Sequence, residues 1–189
     1  HITEEEKNFL ETFINKPLVL LSSQSKNHNI ASVTMDNEAG MKLIINEMMK
    51  SKHKNVCFIQ GPSSSYNNQI RVETVRRFYE SNSERTDFDL RLYQADFLSE
   101  SAYRLGLNLL KYENYDAFIC FNDAMALGLY KAANELNIKV GQDISVTGFD
   151  NNFYADYIFP GLTTIDVDKK LWGKKVVEAY FAIKENKSD

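Results

Sequence analysis

Cysteine is nearly missing from this 189-residue chain, which has only Cys57 and Cys120, both inside apolar runs (Asn55-Val-Cys-Phe-Ile59 and Ala117-Phe-Ile-Cys-Phe121). Thiols placed like this read as buried and unpaired in strands, not as a disulfide framework. Histidine is almost as scarce: His1 is terminal, His28 lies in a polar loop and His53 follows a basic helix end. They form no Ser-His-Asp order and no metal-ligand cluster, so neither a catalytic centre, a metal nor a cofactor is expected. Asp36 and Asp150 are a conceivable carboxylate pair for glycoside cleavage, but nothing in their spacing sets the separation that chemistry needs. There is no excess of positive charge: 22 Lys and Arg stand against 26 Asp and Glu, a net charge of −4. A surface gripping a phosphate backbone needs clustered cations, so any nucleic-acid contact would belong to a part of the parent protein outside this stretch. Apolar runs of membrane-spanning length are lacking, as is a secretory signal, which favours a cytoplasmic location and no membrane partner.

What is present is ordinary globular material, 43% hydrophobic and 25% charged, enough for one sizeable core or two small lobes. Thr3 and Glu6 form a capping box ahead of a helix with Phe9, Leu10, Phe13 and Ile14 on one face. Short strands follow at Leu18–Ser22 and Ile30–Thr34. Asp36 or Asn37 then caps a helix over Glu38–Lys50, with Leu43, Ile44, Met48 and Met49 as its apolar face. From residue 55 strands and helices alternate: strands at Asn55–Gln60, Leu90–Tyr93, Ala117–Phe121 and Asp143–Gly148, with helices at about 67–80, 100–112 and 124–136. That alternation predicts an α/β fold with a parallel sheet and right-handed crossovers. Leu162–Asp166 reads as a further strand. Val167–Lys184 reads as an amphipathic helix carrying Leu171, Val176, Val177, Tyr180 and Phe181. Both ends of the chain look cut, and no internal repeat or low-complexity run is present.

In open parallel sheets ligands sit beyond the carboxyl ends of the strands. After the strand ending at Gln60 comes Gly61-Pro-Ser-Ser-Ser-Tyr-Asn-Asn-Gln-Ile-Arg71, which lacks the Gly-Lys-Ser/Thr of a phosphate-binding loop and so argues against ATP hydrolysis. The next three strands deliver Asp96-Phe97, Asn122-Asp123 and Asp150-Asn151. A guanidinium, an aromatic ring, an amide and carboxylates at one sheet end suit a polyol. Carboxylate and amide oxygens accept hydroxyl protons, Arg donates through a planar fork, and a ring covers the C–H face of a sugar. Each residue also has a plainer reading: Arg71 on a solvated helix face, Phe97 in the core, Asn122 or Asp123 as a helix cap, Asp150 in an ordinary turn.

At these positions the sequence resembles the LacI/GalR family. Phe121-Asn-Asp-Ala-Met-Ala-Leu-Gly128 and Asp143-Ile-Ser-Val-Thr-Gly-Phe-Asp150 follow the family's N-D-x-M-A-L-G … D-I-S-V-x-G-[FY]-D almost without a break. Pro160-Gly-Leu-Thr-Thr164, Asp36-Asn-Glu-Ala-Gly40, and Gly61-Pro62 with Asn68-Gln-Ile-Arg71 match its other motifs. Two departures stand out: Lys52 precedes His53 where the family usually has Gly, and Thr74-Val75 replaces a frequent Gly-aromatic step.

The resemblance implies doubly wound, periplasmic-binding-protein-like type I lobes, one nearly complete (54–164) and one partial (1–53 and 165–189). It implies that Arg71, Asn122 and Asp150 hydrogen-bond an effector and that Phe97 stacks on it. Asp36 would stand at the facing lobe's edge of the cleft, with Ser65 and Asn67 also lining it, while Asp123 holds the loop and caps the helix. The implied effector is a sugar, a sugar phosphate or a purine. The implied assembly is a homodimer that meets DNA only through an N-terminal domain absent here. An extracytoplasmic sugar-binding protein of a transporter and a sensor fused to another output domain are the alternatives. Replacing Arg71 or Asp150 with Ala is expected to abolish the ligand response with the fold intact.

Overall fold

The computed structural model of the chain describes residues 4–12, 16–25, 30–51, 53–82 and 90–186. Thr3, Phe13, Ile14, His1, His28 and Lys52 lie outside them. Helix α1 (Glu4–Glu11) precedes strands β1 (Val19–Leu21) and β2 (Ala31–Val33), which pair in parallel with Val19 opposite Ala31. After α2 (Asn37–Lys50) the chain alternates through β3 (Val56–Gln60), α3 (Tyr66–Ser81), β4 (Arg91–Gln94), α4 (Ser99–Tyr112), β5 (Ala117–Cys120), α5 (Asp123–Glu135) and β6 (Ser145–Thr147). The last four strands form one parallel sheet in the order β4-β3-β5-β6. Helix α6 (Lys169–Asn186) packs back onto β1 and β2.

The two inner strands show why this sheet is parallel. Val56-Cys57-Phe58-Ile59 and all four residues of β5 are buried, so both faces are covered by helices and the runs are apolar without alternation. Cys57 and Cys120 are free thiols within these strands, and burial pushes both above the ordinary range. Phe118, Phe121 and Phe149 are the largest fully buried side chains and centre the core. Helices α4 and α5 pack closely because Gly128 has no side chain: a Cβ there would lie 2.1 Å from the Ser99 carbonyl oxygen.

Several elements differ from the sequence pattern. Helix α2 is capped by Asp36, whose carboxylate accepts from Ala39 N at 2.9 Å. It buries Met41, Ile44, Ile45 and Met48, whereas Leu43 is 65% exposed, so the buried face is rotated from the expected one. The sequence reading groups α2 with residues 1–53, but it packs against α3 and reaches β5, and its apolar residues join the core of the four-stranded sheet. Residues 162–166 form no strand. They run beside the end of β6 through isolated bridges, Thr147 to Thr163 and Asp150 to Asp166, because the chain leaves extended geometry at Asp150 (φ 115°) and Asn151 (φ 49°). The apolar face expected for α6 is largely uncovered within this chain, with Leu171, Val177 and Phe181 all about half exposed or more. Phe9 of α1 is likewise exposed.

Candidate ligand-binding site

The carboxyl ends of the four-stranded sheet open toward β1, β2 and α6, and a cavity of about 320 Å³ lies between. Asn67 and Arg71 reach it from α3, Phe97 from the turn after β4, Asn122 from the end of β5, and Asp150 and Asn152 from the turn after β6. Ser22, Met35, Val167, Lys169 and Trp172 close the other side.

Arg71 is not a solvated helix residue. It is 2% exposed. Its Nε donates to Asn37 Oδ1 at 2.7 Å, one terminal nitrogen donates to the Phe121 carbonyl, and the other meets Met35 Sδ at 3.0 Å. The guanidinium stacks on Phe149 at 3.7 Å and faces Asp150 Oδ1 at 3.8 Å. Burial lowers its pKa to about 10, with Asp150 and Asp123 opposing, so it stays charged at neutral pH. Burial also raises the Asp150 carboxyl to about 6, against the pull of Arg71. A carboxylate held this high beside a cation is a feature of ligand sites.

Phe97 is fixed from two sides. The Asn122 amide donates to its carbonyl at 3.0 Å, and its ring lies directly on Gly61, where an added Cβ would sit 2.3 Å from ring carbons. The backbone is left-handed at φ 69°, uncommon for a bulky residue and a sign of strain held in place by its surroundings. Ser22 (φ 59°) and Asp150 (φ 115°) share that conformation, so three of the cavity's walls carry strained backbone. Asn122 also caps α5, accepting from Met125 N at 2.9 Å, and so fills its plainer role as well. Asp123 is fully buried. It accepts from Thr164 Oγ1 at 2.5 Å and from Asn152 N at 2.6 Å, and burial raises its pKa; it holds the turn that presents Asp150 and Asn152.

Residues 45–188 match the periplasmic binding protein-like domain family. The chain belongs to it. Within that family it is a LacI/GalR-type effector-binding domain. It is 29% identical over 178 residues to the HTH-type transcriptional repressor PurR of Vibrio campbellii, covering 94% of this chain and 53% of the relative. A sugar-binding transcriptional regulator (LacI family) from Enterococcus faecalis superposes with a TM-score of 0.82 at 28% identity, over 95% of this chain and 67% of that one. A Lac repressor dimer, bound to operator and the anti-inducer ONPF, gives 0.82 at 25% identity, over 97% and 64%. The chain spans about half the length of the curated relatives it matches.

In this LacI/GalR-type chain Asn67, Arg71, Phe97, Asn122 and Asp150 come together in one cavity. Two other expected residues do not. Ser65 is buried as the N-cap of α3, accepting from Asn68 N. Asp36 lines a neighbouring cavity of about 310 Å³ that shares Met35, Val167 and Trp172 with the first. Ser22, Asn152, Lys169 and Trp172 were not foreseen. Trp172 is the only tryptophan in the chain, and Asn152 follows Asp150 by two residues, so both had a faint signal. Among the described residues no group of His, Cys, Asp and Glu is placed to hold a metal ion, and no helix is long and apolar enough to cross a membrane.

Proposed function

We propose that this chain is the effector-sensing region of a cytoplasmic LacI/GalR-type transcriptional regulator, with DNA contacted by a domain outside it. The observation that carries the reading is the cavity between the two sheets, where a buried cation, a raised carboxyl, amides and a strained aromatic converge. Its volume lies at the small end of ligand pockets, and its few polar groups among apolar walls are what fixes a ligand's orientation. Arg71, Phe97, Asn122, Asp150 and Asn67 are the proposed contacts, and a sugar, sugar phosphate or purine the proposed ligand.

The lobes we propose are β1, β2 and α6 on one side and the four-stranded sheet on the other. The packing of α2 on α3 supports a crossing at 34–36, ahead of the His53 expected from the sequence, with the return through 165–168. A ligand touching both lobes favours the arrangement that brings its contacts together, and operator affinity must then change by the same factor as ligand affinity. The dimer of the similar Lac repressor supports a homodimer. Phe153, Tyr157 and Phe159, each at least 84% exposed within one short stretch, are the surface such pairing would bury.

The test is a thermal-shift screen of sugars, sugar phosphates, nucleosides and purines on the intact protein. A ligand at about a hundred times its Kd adds about 2.7 kcal/mol of stability. A saturable shift for one chemical class, lost in Asp150→Asn, is expected. Silence from a folded sample would count against the reading.

A further inference from the structure

Asn37 stands behind the cavity wall and is not part of its lining. It opens α2 directly after the crossing at 34–36 and is 2% exposed. A buried amide must place its donors and its acceptor, because a polar group left over carries the full cost of losing water. The Oδ1 of Asn37 accepts from Arg71 Nε at 2.7 Å. Its Nδ2 donates to Asn67 Oδ1 at 3.0 Å and, at 3.4 Å, to the Met35 carbonyl.

The direction of this chain of bonds is forced at one end. A guanidinium has donors only, so the Asn37 atom that meets Arg71 Nε must be oxygen. The other end of that amide is then NH2, and the Asn67 atom it meets must in turn be oxygen. Asn67 lines the cavity. With its oxygen engaged from behind, its NH2 is the end left for a ligand. The Asn122 amide is engaged in the same sense. Its oxygen accepts from Met125 N and one of its protons goes to the Phe97 carbonyl, which leaves one N–H. Both amides of the cavity therefore offer donors, and the acceptor that complements them is the Asp150 carboxylate.

We propose that Asn37 is a positioning residue: without touching the ligand, it holds the Asn67 amide with NH2 toward the cavity, so that the effector must bring an acceptor atom to α3 while its donors turn to Asp150. The proposal rests on the effector-sensing reading and assigns which polar groups of the ligand face which wall. Asn37→Asp reverses the chain of bonds. It keeps an acceptor for Arg71 Nε and adds an acid in the first turn of a helix, where a negative charge is favoured. It has no proton for Asn67, which must turn its NH2 inward and its oxygen to the cavity. Asn67→Asp makes the same reversal from the other side, keeping one oxygen for Asn37 Nδ2 and setting a second at the cavity.

Nitrogen-15 NMR of the intact protein reads the orientation with no ligand present. In the wild type the Asn67 side-chain amide protons should exchange with water about tenfold or more faster than those of Asn37, and in Asn37→Asp an Asn67 proton should gain protection of that order. Calorimetry then compares glucose, galactose and ribose with their monodeoxyfluoro derivatives, in which fluorine keeps roughly the size of a hydroxyl and loses its proton. At least one ring position should tolerate fluorine to within about threefold in the wild type and lose about tenfold or more in both Asn37→Asp and Asn67→Asp, where an acceptor now faces it. Asn67→Asp leaves the buried amide intact and carries this comparison even if Asn37→Asp fails to fold. Asn67 exchange unchanged by Asn37→Asp, or a loss spread evenly over all derivatives as a merely structural Asn37 would give, would overturn the inference and leave the sensing reading standing. Silence from every sugar and purine in the wild type would count against the sensing reading, and the exchange rates would still decide the orientation.

Discussion

Asp150 carries the site's pH dependence. Its carboxyl is raised to about 6 by burial, so in the empty folded protein it holds a proton over much of the range between about 4 and 6. Ligand hydroxyls that donate to it favour the ionised form. Below pH 6 binding must therefore expel that proton, and affinity should fall by up to about tenfold per pH unit. Calorimetry between pH 7.5 and 5, in buffers of differing ionisation enthalpy, should show weakening and proton release near pH 6; a flat profile would disprove the contact. Arg71 is a poorer probe than its side-chain chemistry suggests. Its replacement by Ala strands the Phe121 carbonyl, Asn37 Oδ1 and Asp150 together. Urea unfolding of Arg71→Ala should show a loss of roughly 2–3 kcal/mol, contrary to the expectation of an intact fold. Gly61→Ala tests the aromatic directly. The new methyl must push the Phe97 ring aside, which should cost about 1–3 kcal/mol of stability and about tenfold in ligand affinity by calorimetry. At this scale Arg71, Phe97, Asn122 and Asp150 were legible because each follows a strand end. Lys169 and Trp172 were not, because they come from a helix whose placement against that sheet depends on β1 and β2, distant in sequence.

Among elements, the α4–α5 pair rests on the closest approach. Gly128→Ala would set a methyl against the Ser99 carbonyl, which is backbone and cannot swing away. Thermal unfolding should show a loss of at least about 1–3 kcal/mol, and calorimetry of the folded fraction an unchanged ligand affinity, since neither helix face borders the cavity. The strands and helices from 55 to 136 followed their local pattern closely, because buried parallel strands and capped helices announce themselves over a few residues. The elements that resisted reading are those whose packing is set from elsewhere. Helix α2 buries Met41 and Ile45 and leaves Leu43 exposed because its partner is α3 and the sheet of residues 56–147. Residues 162–166 carry a strand-like pattern, but left-handed backbone at Asp150 and Asn151 breaks the ladder they would join.

In the whole molecule two sheets meet across one cavity, and the proposed homodimer would bury the aromatic surface of Phe153, Tyr157 and Phe159. Phe159 is 96% exposed, so Phe159→Glu should leave the monomer's fold intact while sedimentation shifts from dimer toward monomer; an unchanged dimer would place the interface elsewhere. The central claim is that the effector binds between the sheets, and the chain carries its own reporter there. Trp172, its single tryptophan, lines the cavity with its indole nitrogen unpaired. The most direct measurement is a titration of Trp172 emission with the ligand that gives the largest thermal shift. The account predicts a saturable change whose midpoint equals the calorimetric Kd and which disappears in Asp150→Asn. Tight binding that leaves the emission unchanged would place the ligand outside this cavity and contradict the account.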